Sequence, residues 1–324
     1  NRPRPRRSQA QNLCSPGQQP EAALAEPAVV AIFGPTSIGK TAIAIALAER
    51  MRQRGEDPVA VSVDSMQIYR ELPIITGAPN HEEQLALEHR LIGHRSVADT
   101  YDVATHAALA HAEIDQLRDE GRRPIVLGGT GLYLRAALCE LDLMPKPAEG
   151  VRERLTIELQ QDGIEALQER LKAQAPDLAA EIELENPRRV IRALETLEAG
   201  ENPADREINR LWTQETRVPT TLFALTMDRA ALYERIERRV DLMIELGATG
   251  EVEGAAALAG RTARQALGFD ELLAGDVDAL KVNTRRYAKR QLTWLAKLAG
   301  THAIDVTDRA PGAVAAEIAE TVTD

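Results

Sequence analysis

The fold is decided by the stretch Gly34-Pro35-Thr36-Ser37-Ile38-Gly39-Lys40-Thr41, which fits the phosphate-binding loop pattern G-x-x-x-x-G-K-[ST]. The apolar run before it, residues 28–33, predicts a buried strand, and the run after it, residues 42–47, predicts the first turns of a helix. Glycines let the backbone N–H groups of such a loop point inward, where the helix N-terminus adds partial positive charge. Lys40 adds a full charge, and Thr41 offers a hydroxyl to Mg²⁺. The stretch therefore predicts binding of a polyphosphate, but it leaves open whether the phosphate is transferred, hydrolysed or released.

Composition and charge exclude several classes of protein. The 324 residues are 44% hydrophobic and 27% charged, as in ordinary globular proteins. No apolar run approaches the roughly 20 residues that span a bilayer. Cys14 and Cys139 lie far apart, which suggests neither a disulfide framework nor a zinc site and fits a reducing cytoplasm. The net charge of −11 argues against nucleic-acid binding by bulk charge, yet residues 281–300 carry six basic and no acidic side chains, so we expect a local basic surface there.

Strand and helix patterns alternate along most of the chain, which predicts an α/β fold of the P-loop NTPase-like kind. After the first strand, four more apolar runs are expected to form strands, at 59–63, 124–127, 222–226 and 303–306. The helical segments between them imply a mainly parallel sheet flanked by helices. Ligands of such sheets lie beyond the carboxyl ends of the strands. The loop at 34–41, Asp64 and the turn at 128–131 are therefore expected to converge on one site.

The domain organisation is predicted from the place where this alternation stops. Residues 141–215 contain leucines at helical spacing and the helix start Asn186-Pro187, so they predict an inserted helical domain. Residues 28–140 and 216–324 then form the P-loop-like catalytic core. Residues 1–27 are rich in Pro, Gln and Arg without periodicity, and they predict a disordered extension.

Asp64 follows the second predicted strand and opens the segment Asp64-Ser65-Met66-Gln67. An aspartate in this position caps a helix, binds Mg²⁺ or acts as a general base beside the phosphate site, and the spacing alone leaves these alternatives open. The third predicted strand ends in Gly128-Gly129-Thr130-Gly131, without the acidic residue that nucleotide hydrolysis normally uses. This absence argues against an ATPase.

Basic side chains on two predicted helices are candidates for phosphate contacts. Arg235 and Arg239 lie one helical turn apart, so an arginine here could clamp a phosphate or pair with a neighbouring glutamate. The helix that begins at Pro187 carries Arg188, Arg189 and Arg192, for which surface ion pairs are the simpler interpretation.

The most distinctive basic run is residues 284–294. Its helical spacing and its lack of acidic residues favour a phosphate-backbone contact over a solvated helix face. Tyr287 and Trp294 in this run either pack internally or stack on a base, and the sequence does not choose between these alternatives.

Five segments, taken in order, resemble the tRNA dimethylallyltransferases (isopentenyltransferases), and the resemblance covers about residues 28–308. They are the loop at 34–41, Asp64-Ser65-x-Gln67-x-Tyr69, Gly128-Gly129-Thr130-Gly131-Leu132-Tyr133, Arg188-Arg189-x-x-Arg192-Ala193-Leu194-Glu195 and Ala288-Lys289-Arg290-Gln291-x-Thr293-Trp294. This family transfers a dimethylallyl group from dimethylallyl diphosphate to N6 of the adenosine just 3′ of a tRNA anticodon, with Mg²⁺ and with release of pyrophosphate. The resemblance implies the same reaction here.

The resemblance also implies roles for individual residues. Asp64 becomes the base or hydrogen-bond acceptor at adenine N6, and Thr130 and Arg239 complete the catalytic set. Residues 34–41 bind the diphosphate, and Thr41 binds the metal. The helical block corresponds to the family's insertion, which grips the anticodon stem. The residues implied in tRNA contact are Asp64, Ser65, Met66, Gln67, Arg188, Arg189, Val190, Ile191, Arg192, Gln265, Gly268, Phe269, Lys289, Arg290, Gln291, Thr293 and Trp294.

The expected partners are therefore the anticodon stem-loop of tRNA and dimethylallyl diphosphate, with no membrane, in a cytoplasmic monomer. The main alternative is a P-loop kinase of a small nucleotide or metabolite. Two residues depart from the family pattern: Ile38 is expected to add bulk near the phosphates, and Phe269 replaces the usual Tyr.

Overall fold

The computed structural model describes residues 26–141, 143, 147–201, 211 and 213–322, and its framework is one parallel sheet. Nearly all of the predicted disordered extension falls outside these residues. Within the described part of the chain the sheet has six strands, in the order β3-β2-β4-β1-β5-β6. The strands are β1 (Val29–Phe33), β2 (Pro58–Ser62), β3 (His89–Arg90), β4 (Arg123–Gly128), β5 (Thr220–Thr226) and β6 (Thr301–Asp305).

The predicted α/β class and its parallel sheet are confirmed, because every pairing between neighbouring strands is parallel. All five predicted strands are present, with boundaries shifted by a few residues. Strand β3 was not predicted, since two residues are too short to show a pattern. The central strand β1 lies between β4 and β5, so the loop that follows it opens in the middle of the carboxyl edge.

Helices cover both faces of the sheet. In chain order they are α1 (Lys40–Gln53), α2 (Pro73–Thr76), α3 (His81–Ala86), α4 (Val103–Asp119), α5 (Gly131–Leu138), α6 (Val151–Gln174), α7 (Pro176–Glu181), α8 (Pro187–Glu198), α9 (Arg229–Glu245), α10 (Ala248–Ala255), α11 (Phe269–Leu273), α12 (Val277–Leu295) and α13 (Pro311–Thr321). Helix α6 is interrupted at Gly163, whose φ of 83° is not helical. In the part of the chain that the structure describes, no helix is long and apolar enough to cross a membrane.

The core has two layers because strand residues alternate between the faces of the sheet. Val30 and Ile32 of β1 pack with apolar residues of α1, α9 and α13 on one face. Val29, Ala31 and Phe33 point to the other face, where α4 and α5 cover them. Every residue of β1 is fully buried, as expected for a central parallel strand.

Helices α6, α7 and α8 pack against one another around a separate apolar cluster that includes Leu155, Leu167 and Leu194. The buried carboxylate of Glu195 ties two of these helices together, because it accepts hydrogen bonds from Arg152 of α6 and from Arg192 of its own helix. These helices fall in the predicted insertion at 141–215, part of which lies outside the described residues. The boundaries of that domain stay a prediction.

A buried histidine makes the stability of this fold depend on pH. His106 of α4 has no exposed surface, and its Nδ1 lies 3.0 Å from the hydroxyl of Tyr101. Burial disfavours the charged imidazolium, with a smaller contribution from His94, and lowers the pKa of His106 to about 4. The folded-state pKa is therefore below the unfolded value of about 6.5, and the unfolded chain binds the extra proton between these two values.

We therefore expect the free energy of unfolding to fall as the pH falls from 6.5 to 4, by up to about 1.4 kcal/mol per pH unit from this residue. His106→Gln should flatten that dependence. Burial also lowers the pKa values of His89 and His94, so part of the slope should remain. Urea unfolding at pH 7, 5.5 and 4.5 tests this, with the exposed His81→Gln as the control. Equal slopes for His106→Gln and the unsubstituted protein would contradict it.

Candidate active site

A cavity of about 870 Å³ opens at the carboxyl edge of the sheet. Its walls are the loops that follow β1, β2 and β4, together with helices α2, α9 and α12. The three predicted strand ends do converge here, since Lys40, Asp64 and Thr130 all line this one cavity. Arg239 lines it as well, so every side chain of the predicted catalytic set faces the same space.

The loop after β1 has the backbone that its sequence predicts. Gly39 adopts a φ of 99°, in the left-handed region that favours glycine, and helix α1 begins at the next residue. Lys40 Nζ donates to the carbonyl oxygens of Gly34 and Pro35 at 2.9 and 3.0 Å. Ile38 is buried in the core beside β1, so its bulk points away from the phosphate side and the expectation of crowding there is wrong.

The surroundings of Lys40 disfavour the charged form of its side chain. Burial is the largest influence and lowers the pKa of Lys40 to about 8, although nearby Asp64 favours the charged form. The positive charge of Arg239 lowers the pKa further. A bound polyanion would remove this penalty, because its charge stabilises the ammonium group.

Arg239 of α9 is a second cation held against the same cavity. Its Nε is buried without a partner, and the guanidinium forms no ion pair or hydrogen bond with any described residue. Burial lowers the pKa of Arg239, while Asp64 and Glu83 oppose this shift. The guanidinium lies against Gly77 so closely that a Cβ on that glycine would be 1.4 Å from Nη2. An unpaired guanidinium in this position is a site for an anion.

Arg235 lies one turn before Arg239 and reaches the loop from the same helix. A Cβ on Gly39 would be 3.0 Å from Nη2 of Arg235. The neighbouring Glu237 pairs with Arg285 of α12 instead. Arg235 is not among the residues that line the cavity, so its part in a phosphate clamp stays a prediction.

Asp64 lies two residues beyond the end of β2. Its Oδ1 accepts a hydrogen bond from the backbone N–H of Met66 at 2.9 Å, which holds the carboxylate in a local turn. The negative charge of Asp64 raises the pKa values of Lys40, Arg239 and Tyr287. Asp64 is thus the carboxylate next to both cations, with its second oxygen available to accept a proton or a hydrogen bond.

Helix α12 closes the cavity and contacts the loop that follows β4. The hydroxyls of Thr130 and Tyr287 lie 3.1 Å apart, and burial raises the pKa of Tyr287 to about 12, so the phenol stays protonated at neutral pH. A Cβ on Gly131 would be 2.1 Å from the indole of Trp294. Both aromatic residues therefore pack against this loop. Of the two alternatives that the sequence left open, internal packing and stacking on a base, the structure has the first.

The cavity fits the binding of Mg²⁺ together with a polyphosphate. The Thr41 hydroxyl lines the cavity and forms no hydrogen bond with any described residue. The described residues contain no cluster of three or more His, Cys, Asp or Glu side chains that would bind a metal without a substrate. Mg²⁺ commonly keeps several waters and takes its other ligands from one or two protein oxygens and from substrate phosphates. The Thr41 hydroxyl matches that requirement.

The residues implied in tRNA contact fall into exposed, half-buried and buried groups. Arg188 and Arg189 on α8, and Lys289, Arg290 and Thr293 on α12, are exposed, as is Gln265. The half-buried ones are Asp64, Ser65, Met66, Gln67, Arg192 and Trp294. Val190, Ile191, Phe269 and Gln291 are buried, with at most 8% of their surface accessible, so RNA contact by these four side chains stays a prediction. Gly268 is buried as well, at the start of α11. Apolar packing explains Val190, Ile191 and Phe269, since each belongs to a hydrophobic cluster.

Gln67 is held inside the site rather than presented on the surface. Its Oε1 accepts from the hydroxyl of Ser62 at 2.9 Å, and its Nε2 donates to the carbonyl oxygen of Gly77 at 3.0 Å. Gln67 thus fixes Gly77 against Arg239. Sequence reasoning missed Gly77, because a glycine after a short helix looks like any other helix end.

The parallel sheet, the loop at 34–41 and the cations around Asp64 define a P-loop-like α/β fold whose strand β4 ends without the acid of a nucleotide hydrolase. The family model described as IPP transferase matches residues 67–298. The chain belongs to the IPP transferase family, and it is a prenyltransferase.

Relatives of known name agree over most of the chain. A tRNA dimethylallyltransferase from Azorhizobium caulinodans is 39% identical over 287 residues, which cover 83% of this chain and 89% of the relative. One from Bacillus velezensis is 37% identical and covers 82% of this chain and 87% of the relative. The solved structure of a tRNA isopentenylpyrophosphate transferase from Bacillus halodurans matches with a TM-score of 0.65 and 34% identity, covering 91% of this chain and 95% of that one.

The contact between Gly77 and Arg239 can be tested with inorganic pyrophosphate as the probe. In Gly77→Ala the new methyl group would displace the guanidinium, so we expect the affinity for pyrophosphate with Mg²⁺ to fall at least about tenfold, as for loss of a charged hydrogen bond. Isothermal titration calorimetry measures this affinity. Gly55→Ala is the matched control, because Gly55 also has a positive φ but a Cβ there meets nothing within 4 Å. Equal affinities in the two variants would contradict a role for Arg239 in anion binding.

Proposed function

We propose that this enzyme transfers a dimethylallyl group from dimethylallyl diphosphate to N6 of the adenosine 3′-adjacent to the anticodon of a tRNA, with release of pyrophosphate. Membership of the IPP transferase family and the names of the relatives support this assignment. The observation that carries it is the arrangement of Lys40 and Arg239 around Asp64 in one cavity. Two cations stabilise a diphosphate, and the nearby carboxylate of Asp64 can accept a hydrogen bond or a proton from an amine.

The diphosphate lies on the loop at 34–41 in this proposal. Backbone N–H groups at the start of α1 and the ammonium of Lys40 bind its oxygens, and Arg239 adds a second positive charge from α9. The Thr41 hydroxyl would help to hold Mg²⁺, which would supply further positive charge. These groups gain most in the transition state, because the leaving diphosphate then carries more negative charge than in the bound substrate.

The bond changes balance within the cavity. The lone pair of adenine N6 forms a bond to the terminal allyl carbon, and the bond from that carbon to the diphosphate oxygen breaks with its electron pair. The N6 proton passes to the free oxygen of Asp64 and then to solvent. An exocyclic amine is a weak nucleophile, so a carboxylate that accepts its hydrogen bond assists the attack. No water is activated, which agrees with the absence of an acid in Gly128-Gly129-Thr130.

The RNA reaches this cavity from the side of α12. Lys289 and Arg290 are exposed on that helix, and Arg290 also lines the cavity, where its guanidinium lies 5.6 Å from the centre of the Tyr287 ring. Arg188 and Arg189 add exposed charge on α8. Contacts of this kind bind phosphates and position the RNA, whereas the target adenine must leave its stack to enter the cavity.

A cytoplasmic location and a monomeric state belong to the same proposal. Cys139 is a buried thiol that donates to the carbonyl oxygen of Glu215 and is not part of a disulfide, which fits a reducing compartment. Size-exclusion chromatography with light scattering would test the monomer.

The reaction is tested with labelled dimethylallyl diphosphate and an unmodified anticodon stem-loop that carries the target adenosine. We expect labelled RNA, and we expect Asp64→Asn to lower kcat by about 10²–10⁴-fold, as for loss of a general base. Its affinity for pyrophosphate should not decrease, since the diphosphate ligands remain. Asp102→Asn, which removes a carboxylate that caps α4, is the matched control and should keep full activity. Transfer of phosphate from ATP without labelled RNA would instead indicate the kinase alternative.

A further inference from the structure

Gln291 of α12 is buried, with 4% of its surface accessible, and it joins two loops of the site. Its Oε1 accepts a hydrogen bond from the backbone N–H of Thr36 at 2.8 Å. Its Nε2 donates to the carbonyl oxygen of Gly129 at 2.6 Å. Both partners are main-chain groups, one in the loop after β1 and one in the loop after β4.

An amide side chain matches the chemistry of both contacts. One partner is a donor and the other an acceptor, and among neutral side chains only Gln and Asn present an acceptor and an NH₂ donor on one planar group. Asn is one methylene shorter and could not bridge the same two loops from α12 without a shift of the helix. Removing the amide would leave the Thr36 N–H and the Gly129 oxygen without the partner that they have here.

The bridge lies next to the ammonium that binds the phosphates. A Cβ on Gly129 would be 2.5 Å from Nε2 of Gln291 and 3.5 Å from Nζ of Lys40, so these three groups are in immediate proximity. Lys40 in turn donates hydrogen bonds to the carbonyl oxygens of Gly34 and Pro35, the two residues directly before Thr36. The spacing of the two loops around Lys40 therefore depends on Gln291.

We propose that Gln291 is a positioning residue of the diphosphate site, which holds the loops at Thr36 and Gly129 in the geometry that binds the anion. Its neighbours Lys289 and Arg290 are exposed, so α12 presents charge outward and an amide inward. The role deepens the proposed function, on which the identity of the anion as a diphosphate rests.

The test compares Gln291→Met and Gln291→Glu, with inorganic pyrophosphate and Mg²⁺ as the probe. Gln291→Met keeps the length and loses both hydrogen bonds, so we expect pyrophosphate affinity to fall about tenfold. Gln291→Glu keeps the acceptor for Thr36 but places a negative charge near Gly129 and the bound anion, so a larger loss is expected. The affinity of both variants for the stem-loop RNA alone, measured by fluorescence anisotropy, should change less than twofold.

Thr284→Val is the matched control for damage to the helix. Thr284 is also buried on α12 and donates to the carbonyl oxygen of Leu280, but it does not line the cavity. It should lower thermal stability while leaving pyrophosphate affinity unchanged. In steady state, Gln291→Met should raise KM for dimethylallyl diphosphate while KM for RNA stays constant.

Weakened RNA binding with normal pyrophosphate binding would overturn the proposal and return Gln291 to the RNA interface. An equal loss of pyrophosphate affinity in Thr284→Val would overturn it too, because the effect would then be structural. The calorimetric measurement does not depend on prenyl transfer. Failure of the proposed reaction and failure of the positioning role are therefore distinguishable.

Discussion

Buried positive charge in the cavity at the carboxyl edge of the sheet is the constraint on which the rest of the site depends. Burial lowers the pKa values of Lys40 and Arg239. Asp64 favours the charged form of both groups and Glu83 that of Arg239, yet the pKa of each cation stays below its ordinary value. In the proposed function, a diphosphate adds negative charge beside both cations when it binds. Shifted pKa values of this kind are common at functional sites.

Much of this site could be predicted from the sequence, because its main signals lie within short contiguous segments. The loop at 34–41 is contiguous, and the strands on either side of it show their burial as unbroken apolar runs, so both the sheet and its carboxyl edge are readable. Asp64 is predictable as a site residue because it follows such a strand. What escaped prediction depends on contacts between distant segments. The close approach of Gly77 to Arg239 spans two elements with no shared pattern, and strand β3 is held by pairing with β2 rather than by its own residues.

The residues assigned to RNA by resemblance show the limit of a motif. A motif records which residues occur together, but it does not record which way each side chain points. In Lys289-Arg290-Gln291 the first two residues are exposed and the third is buried, because 100° of helix rotation per residue turns it inward. Val190 and Phe269 are likewise placed by apolar packing. In the proposed function, α12 would thus serve both substrates through different faces.

The hydrogen bond between Thr36 and Gln291 joins residues that are 255 positions apart. During synthesis the phosphate loop leaves the ribosome early, whereas its partner on α12 emerges only when most of the chain has been made. The central strand β1 likewise pairs with β5, which is synthesised much later. A nascent or truncated chain therefore carries the loop sequence without its finished geometry. The loop at 34–41 therefore reaches the geometry described here only after α12 has been made.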